Sequence, residues 1–326
     1  MFVVAVVPPL RGERATTMGQ NNTDKIISFI VENTLSRRSR EGCFFLILSD
    51  MKSSLEHFFT QLDSDRVRFT TLVPPKSEAH ELADELFNFL FPVHCHHPRP
   101  AKVQYAVLSD DLEQLLRPLL HDKNGAAAKL AQAFFSRLPA VRVALLEDAE
   151  AILQFDPAAT CIEEVIATYP GFYAISIYRI AHELHHLGAP LLPRVFSEYV
   201  HGKTGIDIHP AASIGHSFFI DHGTGVVIGA TAVIGNNVKI YQGVTLGALQ
   251  VDKSLANVKR HPTIENNCIL YANSTILGGK TVIGHDSVIG GNSWVTASVP
   301  PNSVVLHQPQ VKVRTKMVEE PWNFVI

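Results

Sequence analysis

Two periods of hydrophobic spacing run along the chain, and one gives way to the other near residue 205. Before that point, apolar residues recur three and four apart, which places them on one face of a helix. SEAHELADELFNFLF opens on Ser77 and DDLEQLLRPLLHD on Asp110, residue types that cap helix N-termini. The stretch from Gly125 to Leu153 is rich in alanine and leucine, and GFYAISIYRIAHELHHLG closes on Gly188, a helix stop. Two short apolar runs, FFLILS and VQYAVLS, read as candidate strands. The pattern predicts a mostly helical domain over residues 20–204.

After residue 205 the helical period is replaced by a six-residue one. Aliphatic residues stand at Ile208, Ile214 and Ile220, then at Ile228, Ile234, Ile240 and Leu246. They return at Ile264, Leu270 and Ile276, and again at Ile283, Ile289 and Val295. Glycine often follows, as at Gly215, Gly229, Gly235, Gly247, Gly284 and Gly290, where it is expected to permit the backbone to turn a corner. Four residues after the aliphatic position stands a small or β-branched residue: Ala212, Thr224, Ala232, Val238, Val244, Ser274, Ser287 and Ser293. This is the hexapeptide repeat of a β-helix, in which three hexads make one rung and the aliphatic side chains stack inside. The period breaks at Val226-Val227, around Gly278-Gly279, and over the long stretch ALQVDKSLANVKRHPT. A solenoid accommodates such a stretch by ejecting it, and ejected loops commonly line a binding face. The predicted β-helix spans 205–305 with an ejected loop at 248–261; residues 1–19 read as a disordered extension and 306–326 as a tail.

Composition narrows the class. A net charge of −3 over 326 residues gives no electrostatic footprint for nucleic acid. No apolar run approaches the roughly 20 residues that span a bilayer. The opening MFVVAVVPPLRGERATT has no basic leader ahead of its apolar patch, which argues against a secretory signal, and Met18 is an alternative start. Cys43, Cys95, Cys161 and Cys268 form no CxxC pair, so they read as reduced thiols of a cytoplasmic protein. Cys268 falls on an inward repeat position and reads as core.

Candidate chemistry gathers in GIDIHPAASIGHSFFIDHGTGVVIG. His222 lies two residues after inward Ile220, outside the coil, and Asp207 precedes it by fifteen residues, within one rung. A histidine fixed by a carboxylate is a general base for a hydroxyl proton. Asp221 adds a carboxylate suited to a cationic amine. Spacing alone leaves open whether Asp221 and His222 are functional or merely solvated turn residues. Two further clusters compete. His182-Glu183-Leu184-His185-His186 matches the HExxH zinc helix but offers no third ligand, and His94-Cys95-His96-His97 lies among prolines in an expected loop.

DIHPAASIGHSFFIDHGTGVVIG, KIYQGVTLGAL and RHPTI, together with YPGFYAISIYRIAHEL, resemble the serine O-acetyltransferases over roughly Asp156 to Val305. The resemblance implies an α+β chain, a mostly helical domain followed by a left-handed parallel β-helix. It implies acetyl transfer from acetyl-CoA to L-serine, in a ternary complex, with no acyl-enzyme and no metal. It makes His222 the general base and Asp207 its orienting carboxylate. It assigns Arg260 and His261 to the substrate carboxylate, Asp156 and Asp221 to its amine, and backbone near Gly247 and Ala272 to the pantetheine arm of acetyl-CoA. It further implies a trimer or hexamer with sites between neighbouring coils, feedback inhibition by cysteine, and capture of the C-terminal Ile326 by O-acetylserine sulfhydrylase. Two features depart from the family: Ala230 stands where glutamate is common, and LHQPQVKVR replaces the usual segment after the last coil. The alternatives are a hexapeptide acyltransferase for a sugar or antibiotic, a catalytically silent β-helix scaffold, and a zinc β-helix carbonic anhydrase. The last would draw three ligands from His209, His216, His222, His261 and His285.

Overall fold

The computed structural model describes residues 41–70, 73–93, 99–122, 124–250 and 258–308. The proposed extension at 1–19, the His94–His97 cluster, the centre of the 248–261 loop and the tail with Ile326 lie outside them. The chain divides into two compact units, Met1–Val67 and Arg68–Ile326. Helix α1, Glu41–Thr70, is the described element of the first and continues past its boundary. FFLILS lies inside α1 as helix, not strand; a short apolar run carries no period of its own to decide between the two.

The second unit begins with α2 (Lys76–Leu90), α3 (Ala101–Leu119), α4 (Ala126–Phe155), α5 (Ile162–Thr168), α6 (Pro170–His186) and α7 (Leu192–Thr204). VQYAVLS is also helical, in α3. Val103, Tyr105 and Val107 lie on its exposed side, while Leu108, Leu112, Leu115 and Leu116 make the buried stripe. The stripe decides the structure, overriding the local strand preference. Consequently α3 starts after Pro100 rather than at Asp110, and α2 after Pro75 rather than at Ser77; neither N-cap uses a side-chain hydrogen bond.

From Asp207 the chain winds into a three-faced parallel coil. Its first face stacks β1 (Asp207–Ile208), β4 (Val227–Ile228), β7 (Thr245–Gly247), β10 (Thr275–Leu277) and β13 (Trp294–Val295). The second stacks β2 (Ser213–Ile214), β5 (Val233–Ile234), β8 (Thr263–Ile264) and β11 (Val282–Ile283). The third stacks β3 (Phe219–Asp221), β6 (Lys239–Tyr241), β9 (Ile269–Leu270), β12 (Val288–Ile289) and β14 (Val304–Val305). Every aliphatic repeat position is buried, and register pairs like with like, Ile208 on Ile228 and Ile228 on Leu246. A helical region followed by a parallel β-helix is the fold class the two periods predict.

Two details differ from the sequence reading. The inserted pair is not Val226-Val227: Val226 is fully buried and Val227 pairs with Asp207, while Thr224 and Gly225 are exposed in the turn. Val226, not Thr224, thus fills the small inward position. The glycines after the aliphatic residues serve close packing rather than a left-handed backbone. A Cβ on Gly215 would lie 2.7 Å from the Gly235 carbonyl oxygen, and one on Gly284 2.4 Å from the Pro301 nitrogen. Left-handed corner positions fall instead to residues such as Asn237, Asn267, Asn273 and Asn292, the residue type that best tolerates that region after glycine.

The coil's first rung has no strand beneath it, and helices take its free carbonyls. Ser197 Oγ donates to Ile208 O at 2.7 Å, His182 Nδ1 to Pro210 O at 2.7 Å, Tyr178 Oη to Ala212 O at 2.6 Å and Arg179 Nη2 to Gly215 O at 2.7 Å. Buried carbonyls left unpaired would each cost free energy comparable to a lost hydrogen bond. Among the described residues no helix is long and apolar enough to cross a membrane.

Candidate active site

The end of α4 and the end of β3 meet at one corner of the coil. Asp156 follows the last residue of α4, its backbone extended at φ −92° and ψ 109°. One carboxylate oxygen accepts the Ala158 N–H at 2.8 Å and the other the Tyr169 hydroxyl at 2.6 Å. These bonds, Tyr169's first, hold the Asp156 carboxyl below its usual range, and the same hydroxyl bond pushes Tyr169 up to about 12. Both groups therefore keep their roles, ionised acceptor and protonated donor, at neutral pH.

Tyr169 precedes the proline that opens α6, and Gly171 lets that helix end touch the coil. A Cβ at Gly171 would lie 2.3 Å from the carbonyl oxygen of Ile220 in β3. Asp221 ends β3, and His222 takes a left-handed conformation at φ 57°. Its ring nitrogen Nε2 stands 3.8 Å from Asp221 Oδ1, and its side chain is 73 % exposed against 18 % for Asp221. Tyr169 and Tyr241 both feel the charges of Asp156 and Asp221, and Tyr241 stacks on Tyr271 with ring centroids 5.0 Å apart. The corner is acidic, with a stacked pair of tyrosines near it and an open imidazole. Asp207 opens β1 beneath Val227 and thus shares this corner, yet its carboxylate makes no hydrogen bond or ion pair among the described residues.

Arg260 and His261 occupy the next corner, across the first face. The loop that carries them leaves after β7 and returns before β8. His261 is 8 % exposed, with Nδ1 3.1 Å from the Thr231 N–H and 2.8 Å from its hydroxyl. Burial, then Arg260 and Lys259, push it down to about 4, so the ring is neutral at pH 7. Nearby His209 is likewise pushed down to about 4 by burial and by the cations around it, Arg194 first. Gly247 lies at this edge of the first face, its carbonyl accepting the Gly278 N–H at 3.1 Å. Ala272 lies on the His222 side, its carbonyl accepting the Asn292 N–H at 2.9 Å.

The structure therefore brings together Asp156, Asp221 and His222, and separately Arg260 and His261; within one chain the two groups flank the first face. Tyr169, Tyr241 and Thr231 were missed by the sequence reading. None of the three carried a signal of its own in the sequence. The competing clusters are otherwise engaged. His182 is bonded to the coil and, through Nε2, to His186 at 3.0 Å, while Glu183 pairs with Arg137 at 2.8 Å. His216 pairs with Glu147 and His285 with Asp286. Among the described residues no three His, Cys, Asp or Glu side chains converge as a metal site.

No family model matches the chain. A serine acetyltransferase (plasmid) of Synechococcus elongatus is 51 % identical over 184 residues, which cover 55 % of this chain and 57 % of that protein. The chain thus spans little more than half the length of that curated relative. The crystal structure of serine acetyltransferase isoform 3 from Entamoeba histolytica, in complex with cysteine, matches with a TM-score of 0.65 at 35 % identity, covering 72 % of this chain and 84 % of that one. The serine acetyltransferase of Neisseria gonorrhoeae, in complex with serine, matches with a TM-score of 0.51 at 30 % identity, covering 70 % and 95 %. With the helical region, the coil and the acidic corner all in place on a chain this similar, the protein belongs to the serine acetyltransferase family.

Proposed function

We propose that the chain transfers an acetyl group from acetyl-CoA to the hydroxyl of L-serine, with His222 as general base. The observation that carries this reading is the corner where Asp156 and Asp221 converge beside His222. Two carboxylates there suit the amine of an amino acid, and an exposed imidazole suits its hydroxyl. The serine oxygen attacks the thioester carbonyl carbon as its proton passes to His222. The tetrahedral intermediate then collapses with cleavage of the C–S bond, and His222 returns the proton to the departing thiolate. No acyl-enzyme forms. Asp207, at the same corner, is the candidate for orienting the imidazole. Arg260 and neutral His261 are donors for the substrate carboxylate, and the first face between Gly247 and Ala272 is the track for the pantetheine arm. A cytoplasmic location goes with this reading.

The test is release of CoA thiol from acetyl-CoA with L-serine against a panel of sugars, aminoglycosides and other hydroxylated acceptors. Turnover with L-serine alone, inhibited competitively by L-cysteine, is the expected result; preference for a sugar or antibiotic would replace the reading. Cysteine presents the same amine and carboxylate with a thiol for the hydroxyl, so it fits the same contacts.

The amine and carboxylate groups sit at different corners of one chain, so a neighbouring coil completes the site. Val227 and Trp294 on the first face, 37 % and 71 % exposed, offer apolar surface for that contact. Sedimentation is expected to give a trimer or a pair of trimers, and an active monomer would contradict this. The proposed capture of Ile326 by O-acetylserine sulfhydrylase rests on the family resemblance.

A further inference from the structure

The histidine assigned to the substrate carboxylate is held by a threonine that no part of the mechanism yet uses. Four contacts join Thr231 to Arg260 and His261 at the foot of the loop. Its hydroxyl oxygen accepts the N–H of Arg260 at 2.9 Å and of His261 at 3.0 Å. The same hydroxyl lies 2.8 Å from His261 Nδ1, and the Thr231 N–H points at that nitrogen from 3.1 Å. A backbone N–H only donates, so Nδ1 must present its lone pair and the ring proton must sit on Nε2. Having accepted two N–H groups, the hydroxyl has its own proton left for Nδ1. Lys259 closes the arrangement, its ammonium donating to the carbonyls of Thr231 at 2.8 Å and His261 at 2.6 Å.

The ring itself fills a notch that only glycine leaves open: a Cβ at Gly229 would stand 2.1 Å from Nε2. With Nδ1 occupied, Nε2–H has no acceptor among the described residues, so it is the ring's one donor left for a ligand. We propose that Thr231 is a positioning residue that fixes His261 in the Nε2–H tautomer and so presents a hydrogen-bond donor to the carboxylate of the acceptor. The proposal rests on the reading of His261 as a carboxylate contact and adds what makes that contact possible. A histidine free to choose its tautomer would offer the carboxylate a lone pair part of the time, which repels rather than binds.

The test uses the full chain labelled with ¹⁵N-histidine, His261 being assigned from the signal lost in His261→Gln. The wild type and Thr231→Ser are expected to show His261 wholly as the Nε2–H tautomer. Thr231→Val keeps the backbone N–H but removes the hydroxyl that anchors the N–H groups of Arg260 and His261, so the ring is expected to shift off that donor and show both tautomers in exchange. Kinetically, Thr231→Val is expected to raise KM for L-serine by about tenfold, the size of one or two lost hydrogen bonds. KM for acetyl-CoA should hold, kcat should stay within a few-fold, and Thr231→Ser should restore the wild-type values. An Nδ1–H tautomer in the wild type overturns the proposal even if the valine variant fails to fold. So does a valine variant with unchanged tautomer and unchanged KM. If the wild type binds no serine but His261 is still the Nε2–H tautomer, the substrate assignment fails and the tautomer control by Thr231 stands.

Discussion

His222→Asn is expected to lower kcat by on the order of 10²–10⁴-fold, the usual loss on removing a general base. KM for both substrates should move little. Asparagine is the informative replacement because residue 222 sits at φ 57°, a conformation asparagine adopts without a large strain. The side chain is 73 % exposed, so folding does not depend on it, and the melting temperature should stay within a few degrees. Near-normal turnover in a folded His222→Asn protein would remove His222 as the base. The alternative carrier would then be sought among the other histidines that face the coil corners, His209 first.

A larger effect on stability is expected at Asp148. Its carboxylate is fully buried, takes two hydrogen bonds from the Arg179 guanidinium at 2.6 and 2.8 Å, and accepts the Phe218 N–H at 2.8 Å. Asp148→Ala strands a guanidinium that is 11 % exposed. Removing one member of a buried pair costs about 3–5 kcal/mol, which lowers Tm by about 6–20 °C in a domain of this size. Replacing both members, Asp148→Leu with Arg179→Met, should recover part of the loss, since no charge is then left unpaired. Thermal unfolding followed by circular dichroism distinguishes the cases; a single variant as stable as wild type would show that the pair contributes nothing. The same pair joins the helix that ends at Asp156 to the chain that leads into Asp221 and His222.

The β-helix was legible in the sequence because each inward position repeats one demand, an aliphatic side chain in a fixed stack, and nothing tertiary competes with it. The helices were legible where a stripe was long, as from Leu108 to Leu116, and misread where a run was short, as in FFLILS and VQYAVLS. The role of glycine was misjudged for a physical reason: crowding against the next rung lies across the coil, out of reach of local spacing. His222 and Asp221 stood out through their place beside Ile220. Tyr169 and Thr231 did not, because each acts on a residue far along the chain, Asp156 in one case and His261 in the other. Hydroxyl residues are common enough that only the folded chain singles these out.

The helices close the coil at one end, and that fixes where its rungs are counted from. Asp221 and His222 belong to the first rung, resting on the elements that carry Asp156 and Tyr169, while Thr231 and His261 follow within the next two. Whole rungs gained or lost beyond Ile283 would shift none of these groups. The length of the coil is thus a free dimension of the architecture, open to change by duplication or loss, while the candidate site keeps a fixed address beside the helices.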